Sequence, residues 1–78
     1  MKFSKECIGK KVIWYSTDSK ENYEAIIDAI FKMNNRRLAW IKIEVNKYPN
    51  GIALLDEKQY RKNEYIYFCV AFKDLAFK

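Results

Sequence analysis

Two stretches of the chain alternate so that an extended backbone would carry two different faces. From Glu64 to Phe72, the side chains of Ile66, Phe68, Val70 and Phe72 fall on one side. Tyr65, Tyr67, Cys69 and Ala71 fall on the other. Leu38 to Val45 repeats the device, with Ala39, Ile41, Ile43 and Val45 opposed to Leu38, Trp40, Lys42 and Glu44. A period of two marks a strand, and a half-buried strand usually alternates apolar with polar. Here the second face carries Trp40, Tyr65 and Tyr67, large rings with a polar handle. The pattern predicts a sheet with an aliphatic core face and an aromatic face left for a partner.

Shorter signals fill in the rest. Val12 to Tyr15 reads as a strand entered through Gly9 and closed by the Ser16-Thr17-Asp18-Ser19 cluster, and Phe3 suits a short edge strand. From Ser19 to Met33 the apolar positions Tyr23, Ile26, Ile27, Ile30 and Phe31 follow i, i+3, i+4, i+7, i+8, which predicts a helix. Strict alternation over the same stretch would leave Ile26 and Ile30 among polar neighbours. Asp18 with Glu21 three residues on resembles a capping box, and Lys32, Arg36 and Arg37 suit the negative pole of a helix. Pro49-Asn50-Gly51 is strong turn chemistry, followed by a strand from Ile52 to about Gln59 and a second turn near Arg61 to Glu64. In the tail, Leu75 and Phe77 are placed to tuck onto the core.

These elements predict one α+β domain over residues 1–78, with a single helix on one face of a four-stranded, mostly antiparallel sheet in the order β-α-β-β-β. Burying each of Ile26, Ile27, Ile30 and Phe31 would contribute roughly 1.5–3 kcal/mol. A five-stranded SH3-like barrel is the alternative. It draws on the Gly9-Lys10-Lys11-Val12 opening and the Lys73-Asp74-Leu75 ending, and it requires Tyr23 to Met33 to be a strand.

Composition narrows the function. Half the 78 residues are hydrophobic and 17% are aromatic, so the chain can bury a core. The net charge of +5 invites an anionic partner, but twelve of the fifteen basic residues are Lys. Phe, Tyr, Met, Ile, Asn and Lys together supply 40 of the 78 residues, a bias that AT-rich coding produces. Arginine, suited to bidentate phosphate recognition, occurs only at positions 36, 37 and 61.

Catalytic chemistry finds little to work with. There is no histidine, the commonest general base and metal ligand, and the two glycines lie too far apart for a phosphate loop. Cys7 and Cys69 show no metal-binding spacing and no histidine to activate them, and both are expected to be free thiols. Glu21, Glu24 and Asp28 read as a solvated face. Neither a signal-peptide-like run nor the roughly 18 consecutive apolar residues of a membrane span is present. A cytoplasmic, non-enzymatic protein without cofactor or metal is the expectation.

Trp40, Tyr65 and Tyr67, flanked by Lys42, Lys58, Arg36 and Arg37, are the candidate partner-binding residues. Two functions use such a face. One is a protein-binding inhibitor or adaptor, of the kind that mobile elements and phages direct against host nucleic-acid-handling or defence proteins such as CRISPR-type systems. Trp, Tyr and Arg concentrate binding energy at interface centres. The other is a nucleic-acid-binding module, since bases stack on exposed aromatics. A second copy of the chain, forming a homodimer, is a further candidate occupant. The scarcity of arginine tilts the balance toward a protein partner.

Overall fold

The computed structural model describes residues 2–16, 22–47, 59–62 and 64–77. Six strands form one antiparallel sheet: β1 (Lys11–Tyr15), β2 (Asn22–Met33), β3 (Arg36–Glu44), β4 (Gln59–Lys62), β5 (Tyr65–Ala71) and β6 (Leu75–Phe77). Their order across the sheet is β4-β5-β3-β2-β1-β6. The helix predicted over Ser19 to Met33 is not formed. Asn22–Met33 is a strand of twelve residues, and the helical segments among the described residues are three single 3-10 turns at Lys5–Cys7, Val45–Lys47 and Phe72–Asp74. The domain is mostly strand, not α+β.

A β-bulge explains why this strand carries a helix-like pattern. Along the first half of β2, Tyr23, Ala25 and Ile27 are buried in the core. The ladder to β3 then slips, with Ile27 opposite Ile41 but Ala29 opposite Trp40. Asp28 is the extra residue, and it shifts the inward positions from odd to even numbers. Ile30, opposite the fully buried Ala39, therefore packs against the core on the same side as Ile27. Tyr23, Ile27 and Ile30 reproduce helical spacing through a change of phase within an extended chain.

The long β2 also lets the sheet fold over on itself. Its first residues pair with β1 and its later ones with β3, overlapping only at Ile26. In a flat sheet β1 and β5 would lie three strand spacings apart, about 14 Å. Yet the Trp14 ring of β1 lies 5.0 Å from that of Phe68 on β5, and 5.6 Å from that of Tyr23. The core lies inside this fold, where Val12, Ile27, Ala39, Ile41, Ile43, Ile66 and Phe68 meet.

The flanking segments seal its ends. Phe3 forms no strand; its ring meets Phe72 edge-on at 4.9 Å, and Cys7 is buried beside them in the core cluster. Gly9 donates its N–H to the Ile27 carbonyl and adopts φ +88°, a region open to glycine at little expense. The Phe72–Asp74 turn, whose Phe72 meets Phe3, delivers Leu75 into the core, while Phe77 stays half exposed.

The strand that the barrel alternative requires at Tyr23 to Met33 is present, and β6 returns to pair with β1. Among the described residues the sheet differs from that alternative in having six strands, in an order that runs from β4 to β6. β4 (Gln59–Lys62) starts where the predicted strand ends and runs into the predicted turn, so Arg61 and Lys62 are strand and not turn. The predicted Asp18 cap, the Pro49-Asn50-Gly51 turn and most of the strand from Ile52 lie outside the described residues.

Candidate functional site

The two-face reading matches the burial of side chains on β3, while on β5 the core face is buried as expected but outer-face Tyr67 is buried too. Ala39, Ile41, Ile43, Ile66, Phe68 and Val70 are buried in the core, while Leu38, Trp40, Lys42 and Glu44 on the opposite face are half-buried. The ladder places these outer residues in rows. Leu38 lies opposite Ala71, Trp40 opposite Cys69, Lys42 opposite Tyr67 and Glu44 opposite Tyr65. β2 extends the rows on the other side, with Phe31 opposite Leu38, Ala29 opposite Trp40 and Ile26 opposite Lys42. Beyond β5, the β2–β3 hairpin projects one further outer row, Met33–Arg36, while the intervening Lys32–Arg37 row has the opposite parity. It turns through Asn34 and Asn35, both with positive φ, as tight hairpin turns require.

Of the predicted site residues, Trp40, Lys42, Tyr65, Tyr67 and Arg36 thus share the outer face. Arg37 has the opposite parity, and its guanidinium Cζ lies 5.5 Å from the centre of the Phe3 ring. Lys58 lies outside the described residues. The shared residues divide into two regions of different character.

Toward the hairpin tip is an apolar groove of about 570 Å³. Phe31, Met33, Leu38, Trp40, Cys69 and Ala71 are among its apolar lining, and Arg36 is its one charged residue among those described. Met33, 56% exposed, stands at its mouth. Leu38, Cys69 and Ala71 were legible as outward-facing. Phe31 and Met33 were not, because the helical reading of β2 hid them. A strand reading with one bulge would have placed both beside Leu38.

Toward the other end the face is charged and mixed. A recess of about 90 Å³ is lined by Lys11, Glu24, Lys42, Glu44 and Tyr65. Lys42 Nζ lies 4.8 Å from the centre of the Tyr65 ring, a cation–π contact. Lys42 thus shares its surroundings with two carboxylates, a poor arrangement for a polyanion.

Between the regions lies Tyr67, only 8% exposed. It sits in mid-sheet because β5 is flanked on both sides, by β3 and β4. Burial pushes its phenol above the usual value of 10.0, and the carboxylate of Asp28 and the neighbouring Tyr65 add to the effect. Tyr67 is therefore a neutral, structural member of the face, and Trp40 is its accessible ring.

Among the described residues, no cluster of three or more His, Cys, Asp or Glu side chains is arranged to hold a metal ion. Cys7 and Cys69 are separate free thiols, the first buried and the second half-buried in the groove. No described helix is long and apolar enough to cross a membrane. Comparison with family models, curated proteins and solved structures gave no match.

Proposed function

We propose that this chain is a small non-enzymatic binding protein, an inhibitor or adaptor, that docks onto a protein partner through the outer face of β2, β3 and β5. The observation that carries this reading is the apolar groove around Trp40, built on the sheet face opposite the core. Monomers rarely leave a contiguous apolar patch uncovered without a use for it. A tryptophan flanked by Leu38, Phe31 and Met33, with an arginine at the rim, has the composition of an interface centre. Rigid strands on both sides hold the ring in place before binding, which limits the ordering entropy of association.

The nucleic-acid reading draws less support. Lys42 lies beside Glu24 and Glu44, so among the described residues the cations of this face do not form a continuous stripe along which a phosphate backbone would run. The small size and AT-rich composition suit a mobile-element or phage inhibitor aimed at a host nucleic-acid-handling or defence protein. Affinity capture from source-cell lysate, with and without nuclease and across a salt series, tests the choice. A protein partner held through an apolar groove survives nuclease treatment and several-fold more salt. Capture abolished by nuclease, with steep salt dependence, would move the function to nucleic acid.

A further inference from the structure

The groove has a charge asymmetry that specifies its occupant. Among the described residues its lining contains one cation, Arg36, and no acid. Lys32 and Arg37, in the next row of the hairpin, are exposed but belong to the opposite face, Arg37 lying over the Phe3 ring. The acids of the same face, Asp28, Glu24 and Glu44, lie past Trp40 toward the mixed recess. A ligand seated in the groove therefore meets apolar surface beneath it and the Arg36 guanidinium at the tip end.

The groove's dimensions set the ligand's length. From the Met33–Arg36 row to the Ala29–Trp40 row are two steps of two residues, about 13 Å along the strands. Across β2, β3 and β5 are two strand spacings, about 10 Å. Thirteen ångströms is the rise of about nine helical residues, or two to three turns. A helix of that length offers an apolar stripe at i, i+3, i+4 and i+7.

We infer that the groove takes an acidic amphipathic helix of a partner protein, its apolar stripe on Trp40, Leu38 and Phe31 and its carboxylates at Arg36. The inference rests on the reading of the groove as a protein-docking site and adds the chemistry of what docks. Charge complementarity of this kind fixes orientation and excludes basic competitors more than it adds affinity.

Three synthetic peptides of about a dozen residues test it, with one common Leu/Phe stripe and a polar face of Glu, Gln or Lys. Binding is followed by fluorescence anisotropy at low and high salt. Amide and indole shifts in the ¹⁵N spectrum locate the contact, the Trp40 indole signal being identified with Trp40→Phe. The Glu peptide is expected to shift Trp40 and Arg36 and to bind at least tenfold more tightly than the Lys peptide at low salt. That preference narrows as salt rises and reverses in Arg36→Glu, a change at an exposed position.

Equal affinity of all three peptides at Trp40 would overturn the acidic occupant while leaving the groove a docking site. If no peptide shifts Trp40, the groove reading falls and the inference with it. A concentration-dependent shift of Trp40 in the protein alone would assign the groove to a second copy. Binding of a short oligothymidylate to Arg36 and Lys32, in place of the Glu peptide, would assign it to nucleic acid. Either of these last two results overturns the inference.

Discussion

The bulge at Asp28 makes a quantitative prediction about three isoleucines of one strand. A helix over Ser19 to Met33 would carry Ile26, Ile27 and Ile30 on a single buried face, so trimming any of them would weaken the fold similarly. In the structure Ile27 is 1% exposed and opposes the fully buried Ile41, whereas Ile26 opposes Lys42 on the outer face and is half-buried. Ile→Val removes one methylene-sized group and preserves the preference for strand, so it isolates burial from backbone effects. At Ile27 the expected loss is about 1 kcal/mol, within the roughly 0.5–1.5 kcal/mol range for buried Ile→Val changes. At Ile26 part of that surface is already in water, and the expected loss is under about 0.5 kcal/mol. Ile30, partly buried but packed on the core, should fall between them. Urea denaturation followed by far-UV circular dichroism resolves these differences. With a slope of about 1 kcal/mol per molar, Ile27→Val lowers the midpoint by about 1 M. Equal losses at Ile26 and Ile27 would refute the strand parity. A loss at Ile30 no larger than at Ile26 would refute the phase change at the bulge.

Other perturbations follow from single features of the structure. Alkylation in denaturant without reductant should modify both cysteines; in the native state Cys69 should react well before Cys7, which is buried in the core cluster, and equal native rates would contradict that placement. Gly9→Ala meets no atom within 4 Å but must hold φ +88°, so it should destabilise by roughly 1–2 kcal/mol despite the free space, and a neutral result would refute the left-handed conformation. Tyr67 has a raised phenol pKa in the folded state, so its contribution is fully present below the usual 10.0 and is lost as pH rises from there through the folded value. Tyr67→Phe should accordingly show a shallower fall in stability above pH 10 than the parent chain; parallel curves would show that Tyr67 ionises normally.

How much of this was legible in the sequence depended on regularity. β3 and β5 alternate without interruption, so Ile41, Ile43, Ile66 and Phe68 could be placed in the core, and Trp40 opposite them, from spacing alone. β2 obeys the same rule with one residue inserted, and that insertion converts a period of two into an apparent period near 3.6 over the dozen residues concerned. Local capping signals at Asp18 and Glu21 agreed with the wrong period, which strengthened it. The consequence reached the site, because Phe31 and Met33 belong to the groove only if β2 is a strand. Tyr67 shows a different limit. Its parity is outward, but its burial depends on having β3 on one side and β4 on the other, a pairing that spacing within β5 does not encode. Arg36 and Arg37 are adjacent in sequence and fall on opposite faces for the same period-two reason that separates Trp40 from Ile41.

Trp40, half-buried on the outer face of the folded sheet, is the residue on which the proposed docking to a protein partner turns. Trp40→Ala tests it when stability and binding are measured on the same sample. The account predicts a cooperative fold with an unchanged pattern of amide shifts in the core strands, and affinity for the captured partner weakened by at least about 2 kcal/mol, some thirtyfold. Loss of the fold would show that Trp40 belongs to the core, and an intact fold with unchanged affinity would place the interface elsewhere.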